Sequence, residues 1–270
     1  MAQQVMACDN GRVYSYGPLI HNGAEVARLA SLGLEVLDPD SDRLPELNGV
    51  KVVLRAHGID SVTEEMLRSR GAILVDTTCP TVKEAQDAVI ELGESGFEVL
   101  LLGSPVHPEV KAIVGRAGVE VTVIDSDDAL DSWVSERESL PERVGIACQT
   151  TIRRDLLEST VEKLGPLVRE LEVKDTVCPH VSRRRKDALG LCDRADVMIV
   201  VGGRNSSNTA NLAGICEEAG VKTYRVESGI EIAPEWIADA SVVGVTGGAS
   251  TPEWSMSEVM DRLRELGLEG

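Results

Sequence analysis

Asp76-Thr-Thr-Cys79-Pro80-Thr-Val-Lys and Asp175-Thr-Val-Cys178-Pro179-His-Val-Ser, whose cysteines lie 99 residues apart, are two copies of one pattern. Each follows a short β-like run, Ala72–Val75 and Leu171–Val173, and each opens a stretch with amphipathic helical spacing. The match extends downstream. An apolar strand comes next, Glu98–Leu102 in one copy and Asp196–Val201 in the other. Each ends in a loop of small residues: Gly103-Ser-Pro-Val-His107-Pro-Glu109 and Gly202-Gly-Arg-Asn-Ser206-Ser207-Asn208. A second helix and a further strand follow. A last strand then enters Ala147-Cys-Gln149-Thr150-Thr151 or Thr246-Gly-Gly-Ala-Ser250-Thr251, and a long helix closes the copy. Strands alternating with helices at this spacing predict parallel sheets covered by helices.

Residues 11–75 fit the later two-thirds of the same plan. A strand at Val13–Tyr16 enters Gly17-Pro18-Leu-Ile-His21-Asn22, and a helix starts at Ala24. A second strand, Val50–Leu54, enters Arg55-Ala56-His57-Gly58, and a helix from Val62 closes the unit. The expected fold is therefore α/β, with three pseudo-symmetric units at 1–75, 76–174 and 175–270 and mostly parallel sheets. Ligands of open α/β sheets bind beyond the carboxyl ends of the strands. Three related units are expected to point such loops at one central site.

The totals narrow the function. The chain has 270 residues, 43% hydrophobic and 27% charged, the balance of a globular protein. Aromatics make up 3% and the net charge is −18, which argues against nucleic acid or an anionic membrane as partner. The one basic run, Arg183 to Lys186, reads as a solvated helix face. Neither a signal peptide nor a membrane-spanning stretch is recognisable, so the expected location is the cytoplasm. Six cysteines scattered over this length are not a disulfide framework. Cys8 and Cys192 read as small packing residues near a helix end, and Cys148 and Cys216, which lack metal-like neighbours, read the same way.

The loops carry coherent chemistry. Of four histidines, three (His21, His57 and His107) fall in strand-to-helix loops and read as equivalent positions. Ser206-Ser207-Asn208 and Gly248-Ala249-Ser250 offer hydroxyls, amides and helix N-termini, an anion cradle without net positive charge. Neither loop is a dinucleotide fingerprint or a P-loop. Glu109, two residues after His107, is placed either to pass a proton or to complement a helix dipole. Cys79 and Cys178, with a third thiol expected by pseudo-symmetry, suit an iron–sulfur cluster with one iron open to substrate. They also suit zinc, although zinc does no redox chemistry and the spacing is not a finger pattern.

Gly17-Pro-Leu-Ile-His21-Asn22, Arg55-Ala-His57-Gly58, Asp76-Thr-Thr-Cys79-Pro80, His107-Pro-Glu109-Val, Gln149-Thr150-Thr151, Asp175-Thr-Val-Cys178, Asn205-Ser206-Ser207-Asn208 and Gly248-Ala-Ser250 occur in this order. Together they resemble the 4-hydroxy-3-methylbut-2-enyl diphosphate reductases, the IspH/LytB family, from about Val13 to the C-terminus. The resemblance implies a trefoil of three α/β domains around a [4Fe–4S] cluster. It also implies a small diphosphate substrate, a ferredoxin or flavodoxin as electron donor, and a place at the end of the non-mevalonate isoprenoid pathway. By the same resemblance Cys79 and Cys178 are cluster ligands, Glu109 the proton relay and Thr150 its hydrogen-bonding neighbour. His21, His57, His107, Ser206, Ser207, Asn208 and Ser250 hold and orient the diphosphate. The family's opening Gly-Phe-Cys-x-Gly-Val has no counterpart here, so the first cluster ligand is expected to be encoded upstream of Met1. Val181 replaces a family hydroxyl, and His180 is new beside it. The alternative is a homologue that binds an anion without redox turnover, or a different metal site using Cys79, Cys178 and His180.

Overall fold

A computed structural model of the chain describes residues 12–20, 22–41 and 43–268. Among them are three sheets, and every strand pairing is parallel. The first holds β1 (Val13–Tyr16), β2 (Leu34–Leu37), β3 (Lys51–Leu54) and β4 (Ile73–Val75), in the order β2-β1-β3-β4. The second holds β5 (Glu98–Leu102), β6 (Val121–Ile124), β7 (Arg143–Cys148) and β8 (Glu170–Lys174), in the order β6-β5-β7-β8. The third holds β9 (Val197–Val201), β10 (Lys222–Val226) and β11 (Val243–Gly247), in the order β10-β9-β11. One topology is thus used three times. In each sheet the chain leaves the first strand on one side and returns on the other, which makes a switch point between first and third strands.

The sequence explains the layering. In the second sheet Leu100 and Leu102 pack with Ile124, Trp133 and Ile146 on one face. Val99 and Leu101 pack with Val89, Leu92 and Ile113 on the other, the two-residue period of a strand buried on both faces. β9, Val-Met-Ile-Val-Val, is likewise buried at every position. The outer strands are different. β2 is buried only at its ends, and β8 exposes charged residues, which discourages pairing with another chain.

Between the strands run α1 (Gly23–Ser31), α2 (Ser61–Ser69), α3 (Pro80–Glu94), α4 (Pro108–Val114), α5 (Asp127–Ser135) and α6 (Arg154–Leu164). They are followed by α7 (Pro179–Cys192), α8 (Ser207–Glu218) and α9 (Glu253–Glu265). Proline stands at the first position of α3, α4 and α7, where its missing N–H costs nothing and its fixed φ starts the helix. The described chain forms two compact units. One runs from Ala30 to Cys178 and includes β1, and so holds the first two sheets. The other runs from Pro179 onward and includes Ile20–Leu29. No helix among the described residues is long and apolar enough to cross a membrane.

Candidate active site

The two cysteine motifs fold into the same local structure. Asp76 accepts from the Thr78 amide at 2.9 Å, and Asp175 from the Val177 amide at 3.2 Å, so each aspartate turns the chain after its strand. The next hydroxyl reaches sideways in both copies: Thr77 donates to the Leu54 carbonyl, and Thr176 to the Cys148 carbonyl at 2.6 Å. Each cysteine amide then donates to the neighbouring loop, Cys79 to Ala56 and Cys178 to Thr150, both at 2.9 Å. Both thiols are half-buried. Cys79 takes the N-cap position of α3 without capping through its side chain, and Cys178 immediately precedes Pro179, the first residue of α7. A helix N-terminus favours an anionic group, which suits a thiolate ligand. Thr77 and Thr176 were readable in the repeated Asp-Thr; their part in the site was not.

These bonds also fix the correspondence between loops. Leu54 lies beside Tyr16, Cys148 beside Leu102 and Gly247 beside Val201, so Arg55, Gln149 and Gly248 occupy one position in three sheets. His57 therefore corresponds to Thr151, on the loop after the third strand. His107 is different: it is the N-cap of α4, on the loop after the first strand, where Ser206 caps α8. In the first copy that cap is Asn22, whose side chain accepts from the Glu25 amide at 2.9 Å and whose carbonyl accepts from Val26. The expectation that all three histidines are equivalent is thus corrected. His57 belongs to a different loop class, because the motif was matched by residue type and not by strand register. His21 lies outside the described residues, as does Cys8.

In the first compact unit the two loop classes meet. Glu109, only 2% exposed, accepts from the Thr150 amide at 2.6 Å and from the Thr150 hydroxyl at 2.9 Å. Burial pushes its pKa up, and the two Thr150 bonds oppose the shift. A carboxyl held this way stays protonated to higher pH than an exposed one, as a proton donor requires. The His107 Nδ1 accepts from the Glu109 amide at 3.2 Å, which leaves the proton on Nε2. The His57 ring stands edge-on to it, with centroids 5.3 Å apart. Gln149 ties the loops together: its Oε1 accepts from the Ser104 amide at 3.0 Å, and its Nε2 donates to the Thr151 hydroxyl at 2.9 Å.

In the second unit Ser206 caps α8 by accepting from the Thr209 amide at 3.2 Å, so one hydroxyl of the expected cradle does serve as a cap. Asn208 is different. It is 6% exposed, and neither its Nδ2 nor the Oγ1 of buried Thr209 has a hydrogen-bond partner among the described residues. Buried donors without partners cost stability and point to a ligand. Ser207 and Ser250 are half-buried. The basic run is not a uniformly solvated face: Arg183 is exposed and lies 3.9 Å from Asp187, but Arg184 donates to the Gly247 carbonyl at 2.7 Å. The expectation missed this because a contact 63 residues away leaves no trace in the helix pattern.

A family model described as "LytB protein" matches residues 1–264. The 4-hydroxy-3-methylbut-2-enyl diphosphate reductase of Aquifex aeolicus (strain VF5) is 37% identical over 273 residues, covering 98% of this chain and 90% of the relative. The chain belongs to the 4-hydroxy-3-methylbut-2-enyl diphosphate reductase (LytB) family. The Geobacter metallireducens reductase is 38% identical, covering 95% of this chain and 88% of the relative. A solved (E)-4-hydroxy-3-methyl-but-2-enyl diphosphate reductase, titled the terminal enzyme of the non-mevalonate pathway, aligns with a TM-score of 0.70 at 35% identity. It covers 98% of this chain and 92% of its own. The Plasmodium falciparum reductase structure has a TM-score of 0.86 at 20% identity over 96% of this chain and 80% of its own, which speaks for the fold alone.

Membership makes the chain an iron–sulfur oxidoreductase of isoprenoid biosynthesis. Two half-buried thiols in duplicate cradles fit two corners of such a cofactor. Among the described residues no group of three His, Cys, Asp or Glu side chains is placed to hold a metal ion.

Proposed function

We propose that the chain removes the allylic hydroxyl of 4-hydroxy-3-methylbut-2-enyl diphosphate and yields isopentenyl and dimethylallyl diphosphates. The balance is a C–O bond broken, two electrons and two protons taken up, and one water released. The electrons come from a reduced ferredoxin or flavodoxin in the cytoplasm. Cys79 and Cys178 hold a [4Fe–4S] cluster, which when bound supplies the electrons and a Lewis acid for the hydroxyl.

The chain's own residues do the rest. Ser206, Ser207, Asn208 and Ser250, with His21, His57 and His107, hold the diphosphate and so fix the reacting end of a small substrate. The unpartnered Nδ2 of Asn208 supports this, since a phosphate oxygen would satisfy it. Glu109 gives the proton that leaves with the hydroxyl oxygen, and Thr150 holds its carboxyl in place.

One observation carries the reading: a carboxyl 2% exposed, its pKa raised by burial, held by both polar groups of Thr150. Such an arrangement has no structural purpose that a neutral side chain would not serve better. Anaerobic turnover with a chemically reduced donor tests it. Both isomeric products should appear with one water per substrate, and formation of neither product over a no-enzyme control would reject the assignment.

A further inference from the structure

The position that follows the third strand is solved differently in the three sheets. In the second, Gln149 crosses from its own loop to the Ser104 amide of the facing loop. In the first, Arg55 does the equivalent: its Nε donates to the Gly58 carbonyl at 3.3 Å, and its guanidinium lies against Gly17, with Nη1 3.2 Å from where a Cβ would stand. In the third sheet the position is Gly248, which has no side chain to do this. Nor would one fit, since a Cβ there would stand 2.4 Å from the Thr209 Oγ1. At this position the loop that presents Ser250 thus has no side-chain clamp.

Arg184 supplies it from α7. Its Nη1 donates to the Gly247 carbonyl at 2.7 Å and to the Gly248 carbonyl at 3.3 Å, two acceptors at the open end of β11. Thr251 fastens the far side of the same loop by donating to the Val201 carbonyl at 2.7 Å. We propose that Arg184 is a positioning residue for substrate binding, a clamp from α7 that holds the Gly247–Ser250 loop in place of the side chain Gly248 cannot carry. A guanidinium is suited to the task, because it offers several donors in a rigid fork and stays charged. The neighbouring Arg183, 82% exposed on its side chain and 3.9 Å from Asp187, serves as the comparison.

The proposal rests on the reading of the Ser206–Ser250 loops as a diphosphate cradle, and the test separates the two. Arg184→Gln, Arg184→Lys and the charge-matched control Arg183→Gln are made in the full chain. Amide hydrogen exchange over residues 247–251 is measured without ligand, and inorganic diphosphate binding by calorimetry. Arg184→Gln should speed exchange in that segment and weaken diphosphate about tenfold, the scale of one charged hydrogen bond. Arg184→Lys should recover part of both, and Arg183→Gln should change neither. In turnover the loss should fall on KM while kcat holds. Unchanged exchange in Arg184→Gln overturns the clamp. Equal weakening by Arg183→Gln also overturns it, in favour of a diffuse charge effect. Failure of the parent protein to bind diphosphate while exchange responds as expected would leave the clamp standing and sink the cradle.

Discussion

Glu109→Gln isolates the proton from the architecture. The wild-type carboxyl takes the Thr150 amide at 2.6 Å on one oxygen and the Thr150 hydroxyl at 2.9 Å on the other. The amide of glutamine keeps the first bond through its oxygen and donates to the hydroxyl through its nitrogen, so neither partner is orphaned. The fold therefore loses little, while the proposed general acid is lost entirely. Removing a placed acid is worth about 10²–10⁴ in kcat, or about 3–5 kcal/mol of barrier. Stability gives an internal check. Because the folded pKa of Glu109 is raised, its contribution is full at acid pH and is lost as pH rises through the raised value. The variant, which cannot ionise, should match the parent in thermal midpoint at acid pH and exceed it at alkaline pH. Saturating turnover and calorimetric melting at both pH extremes read the two effects. A kcat within about threefold of the parent would refute the acid role, since general acids contribute far more than that. A midpoint difference that shrinks toward alkaline pH would refute the burial argument.

Other consequences are simpler to read. Thr176→Val removes the donor to the Cys148 carbonyl at 2.6 Å and the acceptor for the Cys148 amide at 2.9 Å, and should cost about 1–3 kcal/mol by denaturant melting. Alkylation of the native protein, mapped by mass spectrometry, should modify half-buried Cys79 and Cys178 and spare Cys148 and Cys216. Burial holds the latter two thiols near pKa 12, so they carry almost no thiolate at neutral pH. Asn208→Leu keeps the side-chain volume and removes the orphaned donor; it should weaken inorganic diphosphate while leaving the thermal midpoint equal or higher.

The three-sheet α/β arrangement was legible because the Asp-Thr-x-Cys-Pro phrase, the central strands and the small-residue loops recur at one spacing. β2 was not distinguished, since Leu34–Leu37 is an edge strand with its two middle residues exposed and one of them Glu35, so it shows neither alternation nor a continuous apolar run. The Glu109–Thr150 pair was reached only through family resemblance. Its members are 41 residues apart, and only the β5–β7 pairing brings their loops together. The histidines were misaligned for a related reason. Residue type marks a loop as chemical, but strand register decides which loop it is, and register is set by long-range pairing. The Arg184 contact shows the same limit from the other direction: a solvated helix face and a clamp have one helical pattern.

Cys79 and Cys178 are proposed to serve one cofactor from two copies of the same cradle. Iron and acid-labile sulfide, counted per chain after anaerobic reconstitution of the parent, Cys79→Ser and Cys178→Ser, test this directly. Both variants should lose the cluster to the same extent, because each cradle supplies one corner. Retention of the parent's full iron and sulfide by either variant would contradict it.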